Sequence, residues 1–219
     1  MKISSAVSQD EGAYLAREYA LIDFHSVPLQ RFMDEIHAAL LAQGISQGHS
    51  ILDVGCGRGY LLRYLAEKGF SSLRGLDPCQ ELVRNRLSET VGPGAFFEPG
   101  VADKSFDVVI TCHTLHHLRK QNPIQEIAWM GHTARRLVVI VEINNTNMPM
   151  LLMSLFHRKV EANAFRYNLR KTMDLCRHAG LGILHASHMK SGYISGDSSL
   201  HCVAAAAGTK PYNIVLAKP

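Results

Sequence analysis

Short apolar runs alternate with amphipathic stretches through the middle of the chain. Ser50 to Val54 predicts a strand, and Tyr60 to Lys68 an amphipathic helix stopped by Gly69, since glycine ends a helix at little steric cost. Leu73 to Leu76 predicts a second strand. Pro78 to Leu87 reads as a helix with proline in its first turn, where the missing N–H is tolerated. Ala95 to Glu98 predicts a third strand after the Gly92-Pro93-Gly94 loop. Phe106 to Thr111 (FDVVIT) and Leu137 to Val141 (LVVIV) are unbroken apolar runs, as strands buried on both faces require. Between them Asn122-Pro123 opens a helix, with Asn122 as N-cap and Gln125 at the capping-box position.

The flanks read differently. Tyr14 to Leu41 is helix-rich and broken near Pro28, with Phe32, Ile36, Leu40 and Leu41 at helical spacing, and Gln43-Gly44 ends it. Residues 149–179 read mostly as helix. Leu200 to Ala207 predicts a short helix closed by Gly208. Gly182 to Ser187 and Tyr212 to Ala217 (YNIVLA) are late strands placed to pair antiparallel at one edge. Strands alternating with helices imply an α/β fold, its sheet mostly parallel and covered on both faces. The expectation is one domain over 1–219, with a helical cap at 1–45 and a helical lid inserted at about 143–170.

Composition narrows the function classes. The 219 residues are 47% hydrophobic and 19% charged, enough to bury a core. The cysteines (Cys56, Cys79, Cys112, Cys176, Cys202) are scattered and form no C-x-x-C pair. That argues against a disulfide scaffold, a zinc ribbon or an iron–sulfur cluster, and points to a reducing, cytoplasmic setting. No apolar segment follows Lys2, so no signal peptide is expected. The most apolar run, Met148 to Phe156, is too short to span a bilayer. The net charge of +4 comes without a run of like charges. It permits an anionic partner without demanding nucleic acid.

The sharpest chemical feature is Ile51-Leu52-Asp53-Val54-Gly55-Cys56-Gly57-Arg58-Gly59, a strand running into glycines and then a helix. Glycines let the backbone turn tightly and approach a ligand, and the helix aims its first amides at it. The spacing is G-x-G-x-G, with Tyr60 where a dinucleotide fold has its last glycine, and no P-loop Gly-Lys-Ser/Thr is present. The second strand runs into Asp77, whose carboxylate suits the two hydroxyls of a ribose and repels a 2′-phosphate.

ILDVGCGRG, then GLDP (Gly75 to Pro78), then FDVVITCHTLHHL (Phe106 to Leu118) together resemble the class I S-adenosylmethionine-dependent methyltransferases of the small-molecule type. The resemblance covers about residues 45–145 well and the late strands loosely. It implies a Rossmann-like doubly wound, mostly parallel seven-stranded sheet with an antiparallel C-terminal strand, in three α/β/α layers. It implies S-adenosylmethionine as cofactor, with Asp53, Gly55, Cys56 and Gly57 along its methionine part and Gly59 opening the next helix. Asp77 would hold the ribose and Pro78 would lie near the adenine. The family usually has an acidic residue touching the adenine amine after the third strand. Glu98 is the candidate here and Asp103 its competitor, in a connection to the FD strand that is short for the family.

The residues after FDVVI would surround the transferable methyl. Cys112 joins the cofactor-binding set. His113 and His116 are candidate general bases, because imidazole titrates near neutral pH, although histidines at this place in the family often pack instead. No metal is expected at His113, His116 and His117, because neighbouring histidines on a turn point apart. The family's Asn/Asp-Pro-Pro-aromatic signature for base amines is replaced by Thr111-Cys112-His113-Thr114, which lowers adenine or cytosine methylation. Glu142, ending the LVVIV strand, would orient an acceptor hydroxyl or amine, or else cap the next segment. Met148 to Phe156 reads as a hydrophobic lid or as a helix buried on several sides, and Arg158, Lys159 and Arg166 follow it.

The expected activity is methyl transfer to oxygen, nitrogen or carbon of a small apolar or amphipathic acceptor. No nucleic acid partner and no transmembrane segment are expected, while peripheral membrane contact stays open. The alternatives are a catalytically degenerate cofactor-binding regulatory subunit and an RNA or protein methyltransferase. A nicotinamide dehydrogenase is the weakest reading.

Overall fold

The structure, a computed structural model, describes residues 22–94, 101–117, 122–148, 151, 166–191 and 210–219. The elements are α1 (Val27–Ala42), β1 (Ile51–Val54), α2 (Tyr60–Glu67), β2 (Leu73–Asp77), α3 (Gln80–Arg84) and β3 (Val91–Pro93). They continue with β4 (Phe106–Cys112), a 3-10 turn (Leu115–His117), α4 (Pro123–Thr133), β5 (Ala134–Ile143), α5 (Leu169–His178), β6 (Gly182–His188) and β7 (Tyr212–Lys218).

The seven strands form one sheet in the order β3-β2-β1-β4-β5-β7-β6. The neighbours from β3 through to β5 are parallel, and β7 runs antiparallel to both β5 and β6. The order reverses between β1 and β4. That switch point opens a crevice at the carboxyl ends of the strands.

Alternate residues of the central strands face opposite layers. Ile51, Val108 and Val139 pack under α1 and α2, with Phe32, Ile36, Tyr64 and Leu65. Leu52, Val109 and Val138 pack under α4 and α5, with Ile127, Met130, Leu175 and Cys176. Both faces are therefore apolar, which explains the unbroken FDVVI and LVVIV runs and the three-layer architecture.

Several boundaries differ from the sequence reading. Pro28 sits in the first turn of α1 and so starts that helix; residues 14–21 lie outside the described residues. The third strand is Val91–Pro93, in what reads as a Gly-Pro-Gly loop, while Ala95 to Glu98 lies outside the described residues. A proline is accommodated here because β3 is an edge strand with one neighbour, β2.

Pro78 is not in a first helical turn. The backbone N–H of Cys79 donates to Asp77 Oδ1 at 2.8 Å, and α3 starts only after Cys79 as N-cap. The helix also stops short of Leu87, whose N–H donates to Arg58 O at 2.7 Å and draws the chain onto the glycine loop.

Asn122 caps α4 as expected, its Oδ1 accepting from Ile124 N at 3.1 Å. Beyond β5, Asn145 N donates to Tyr167 O at 3.0 Å, which ties the end of that strand to the segment before α5. Residues 152–165 and 192–209, including the Leu200 to Ala207 helix, lie outside the described residues.

Candidate active site

The glycine loop leaves β1 with Gly55, Gly57 and Gly59 at φ of 74°, 58° and 81°. Side chains with a Cβ rarely adopt this region. Space demands glycine as well: a Cβ on Gly55 would run into Thr114, and one on Gly59 would lie 2.5 Å from Val91 Cγ2. Asp77, at the tip of β2, anchors the loop from the side. Its Oδ2 accepts from Gly57 N at 2.8 Å while its Oδ1 holds Cys79 N. Burial pushes this carboxyl up to about 6, although the two N–H groups pull the other way.

Asp53, one strand over on β1, is 2% exposed, and its Oδ1 has no hydrogen-bond partner. Burial, reinforced by the Asp77 charge, pushes its carboxyl up to about 7. A buried polar oxygen without a partner is costly unless a ligand supplies one. Asp53 lines a cavity of about 40 Å³ with Gly55, Cys56 and Cys112, roofed by Leu29, Phe32 and Met33 of α1 and by Tyr60 and Leu61 of α2. Burial drives the Cys56 and Cys112 thiols well up, so they act as protonated, weakly polar walls and not as nucleophiles.

The exit of β4 makes the other half. His113 is held at φ 56° and its N–H donates to Val141 O at 2.9 Å. Its ring lies against Tyr212 at 4.1 Å between centroids and meets the edge of Phe32 at 5.7 Å. His116 is buried on the 3-10 turn, with Nδ1 2.6 Å from Glu142 Oε1. Glu142 also accepts from His116 N at 3.2 Å and from Ile143 N at 2.9 Å. Burial alone would raise the Glu142 carboxyl, but His116, His113 and the Ile143 N–H outweigh it and hold it below the usual range. An ionised carboxylate only accepts, so His116 Nδ1 carries the shared proton.

The structure thus brings Asp53, Gly55, Cys56 and Cys112 to one cavity and binds Gly57 to Asp77. It joins His116 to Glu142, with His113 beside them. Glu142 does not cap the next segment through a free carboxyl: three donors occupy it. Glu98 lies outside the described residues, and Asp103 lies in the exposed turn before β4. Sequence reasoning missed Thr114, Phe32 and Tyr212. Thr114 carries no motif of its own, and the two aromatics reach the site from elements remote in sequence. Among the described residues, no cluster of three or more His, Cys, Asp or Glu could hold a metal ion.

The arrangement fits an S-adenosylmethionine site. A cradle with no room for a Cβ, an unpaired buried carboxylate oxygen and an acid at the end of β2 stand together at the switch point. A fold and site of this kind define a class I methyltransferase. A family model described as a methyltransferase domain matches residues 25–186, and the chain belongs to that family. It carries a methyltransferase domain of the S-adenosylmethionine-dependent type.

EEF1A lysine methyltransferase 2 of Danio rerio is 40% identical to it over 78 residues, which are 32% of this chain and 34% of that protein. The match therefore spans about a third of that relative's length. Among solved structures, the complex between the Haloferax volcanii Trm112 methyltransferase activator and a methyltransferase contains a similar chain. Its TM-score is 0.71 at 17% identity, covering 97% of this chain and 99% of that one. Magnesium protoporphyrin IX methyltransferase from Synechocystis PCC 6803 with bound S-adenosylhomocysteine gives a TM-score of 0.59 at 17% identity, over 87% and 83% of the two chains. A SAM-dependent methyltransferase from Archaeoglobus fulgidus gives 0.64 at 17% identity, over 85% and 94%. No helix among the described residues is long and apolar enough to cross a membrane.

Proposed function

We propose that the methyl group goes to an oxygen, nitrogen or carbon atom of a small apolar or amphipathic molecule. The observation that carries this reading is the apolar wall of buried Leu29, Phe32 and Met33 facing Asp53 and Cys112 across the half-open cavity. Such a wall suits a small acceptor better than a long polymer. The apolar sequence from Met148 to Phe156, inserted after β5, adds to it. In this reading residues 1–45 cap the cofactor and 143–170 close over the acceptor, within one methyltransferase domain spanning 1–219. The free thiols of Cys56, Cys79, Cys112 and Cys176 support a cytoplasmic setting.

Asp53, Gly55, Cys56 and Gly57 would hold the methionine end of the cofactor, and Gly59 opens α2 beside it. Asp77 would take the ribose hydroxyls, Pro78 and Glu98 the adenine, and Cys112 the wall behind the sulfur. When bound, S-adenosylmethionine supplies a methyl group activated by its sulfonium. The protein's contribution is alignment of the acceptor in line with that methyl and exclusion of water. Where the acceptor must lose a proton, His116 receives it at Nε2, because Glu142 holds Nδ1 in the donor state. His113, tilted against Tyr212, forms the acceptor-side wall.

The second reading is a protein lysine acceptor, favoured by the similarity to the Danio rerio protein. Incubating the protein with S-adenosylmethionine and measuring S-adenosylhomocysteine release separates the two. Apolar phenols, amines and fatty acids form one arm, and EEF1A and RNA the other. Turnover in the first arm supports the proposal. Turnover confined to EEF1A or RNA replaces it.

A further inference from the structure

The peptide group between Gly55 and Cys56 is pinned at both ends. Its N–H, on Cys56, donates to Leu76 O at 3.2 Å, and its carbonyl, on Gly55, accepts from Thr114 Oγ1 at 3.1 Å. A planar peptide held by both its polar atoms has no freedom to rotate. Its one proton is shared with Cys112 O, also 3.1 Å away, so the hydroxyl bridges the exits of β1 and β4, the two strands flanking the switch point.

Thr114 also fills the space that a Cβ on Gly55 would need. Its carbonyl accepts from His117 N at 3.0 Å, which closes the turn carrying His116. On its other side stands His113. One residue therefore touches the cofactor loop with its side chain and carries both histidines on its backbone.

We infer that Thr114 is a positioning residue: its hydroxyl sets the Gly55–Cys56 peptide plane and registers the cofactor loop against the His113–His116 turn. This rests on the reading that the glycine loop holds the cofactor and that the turn faces the acceptor. Thr111 provides a built-in comparison. Its hydroxyl donates to Val54 O at 3.0 Å, one residue before Gly55, from a fully buried position where Thr114 is half-buried. That bond holds strand to strand and touches neither the loop peptide nor the histidines.

The test compares Thr114→Val, Thr114→Ser and Thr111→Val by calorimetric titration with S-adenosylhomocysteine, well below each variant's melting temperature. A lost hydrogen bond predicts roughly five- to tenfold weaker binding for Thr114→Val. Thr114→Ser, which keeps the hydroxyl, and Thr111→Val should both stay within about twofold of the parent. The His113 and His116 ring resonances should shift on ligand addition in the parent and in Thr114→Ser, and lose that response in Thr114→Val. Equal losses in Thr114→Val and Thr111→Val, or an unchanged histidine response in Thr114→Val, would overturn the proposal. If Thr114→Val does not fold, Thr114→Ala makes the same comparison. Failure of the parent to bind at all would instead sink the cofactor reading, and the positioning role with it.

Discussion

His116 Nδ1, on the turn after β4, and Glu142 Oε1, near the end of the adjacent parallel strand β5, stand 2.6 Å apart at positions only 2% and 0% exposed. Two residues distant in sequence thus form one buried unit, and removing either breaks a buried charged contact. Breaking such a pair costs about 3–5 kcal/mol. Glu142→Ala should lose stability of that order in urea unfolding, and Glu142→Gln less. A Glu142→Ala protein within about 0.5 kcal/mol of the parent would show that the pair is solvated.

The same pair sets an acid limit. The folded Glu142 carboxyl titrates below its unfolded value, so its contribution is complete above the ordinary glutamate pKa of about 4.5. It should be lost as pH falls below that, through the lowered folded value. Thermal melting across pH 3–6 should show a steeper acid decline in the parent than in Glu142→Gln.

Asp53 predicts the opposite slope. Its carboxyl is raised to about 7 from 3.8, so between those values the folded protein binds more protons than the unfolded chain. Stability without ligand should therefore fall as pH rises through this window. Asp53→Asn removes that dependence. The stability gained over the parent should grow from pH 5 to pH 8 by about 2–3 kcal/mol, while S-adenosylhomocysteine affinity at pH 8 falls because Oδ1 no longer carries charge. A constant difference between the two proteins across pH 5–8 would refute the assignment.

Gly55→Ala tests the cradle. The substitution adds a Cβ at φ 74° and drives it into Thr114. Strain in that region costs roughly 1–2 kcal/mol before the collision is counted. Lower stability together with loss of S-adenosylhomocysteine binding is expected. Binding at the parent's affinity would mean that the loop is not the cofactor site.

Much of this was legible in the sequence, for identifiable reasons. A strand buried on both faces leaves an unbroken apolar run, so FDVVI and LVVIV announced β4 and β5. The glycine loop was legible because a positive φ and a missing Cβ leave few alternatives to glycine. Val91–Pro93 was not, because an edge strand with one neighbour needs little β-propensity, and Gly92-Pro93-Gly94 reads as a turn. The start of α3 was misplaced because Asp77 satisfies Cys79 N through its side chain, a tertiary choice no periodicity encodes. Glu142 and His116 were picked out separately as candidates. Their union depends on the register of β4 against β5, which brings Cys112 beside Val141.

In the proposed function the loop from Gly55 to Gly59, clasped by Asp77, binds the methyl donor. Calorimetric titration of the parent and of Asp77→Ala with S-adenosylmethionine and S-adenosylhomocysteine, with NAD as comparison, tests it most directly. The parent should bind both sulfur ligands saturably and NAD not at all, and Asp77→Ala should lose the binding. Parent protein that binds neither sulfur ligand, or an Asp77→Ala protein that binds them as the parent does, would contradict it.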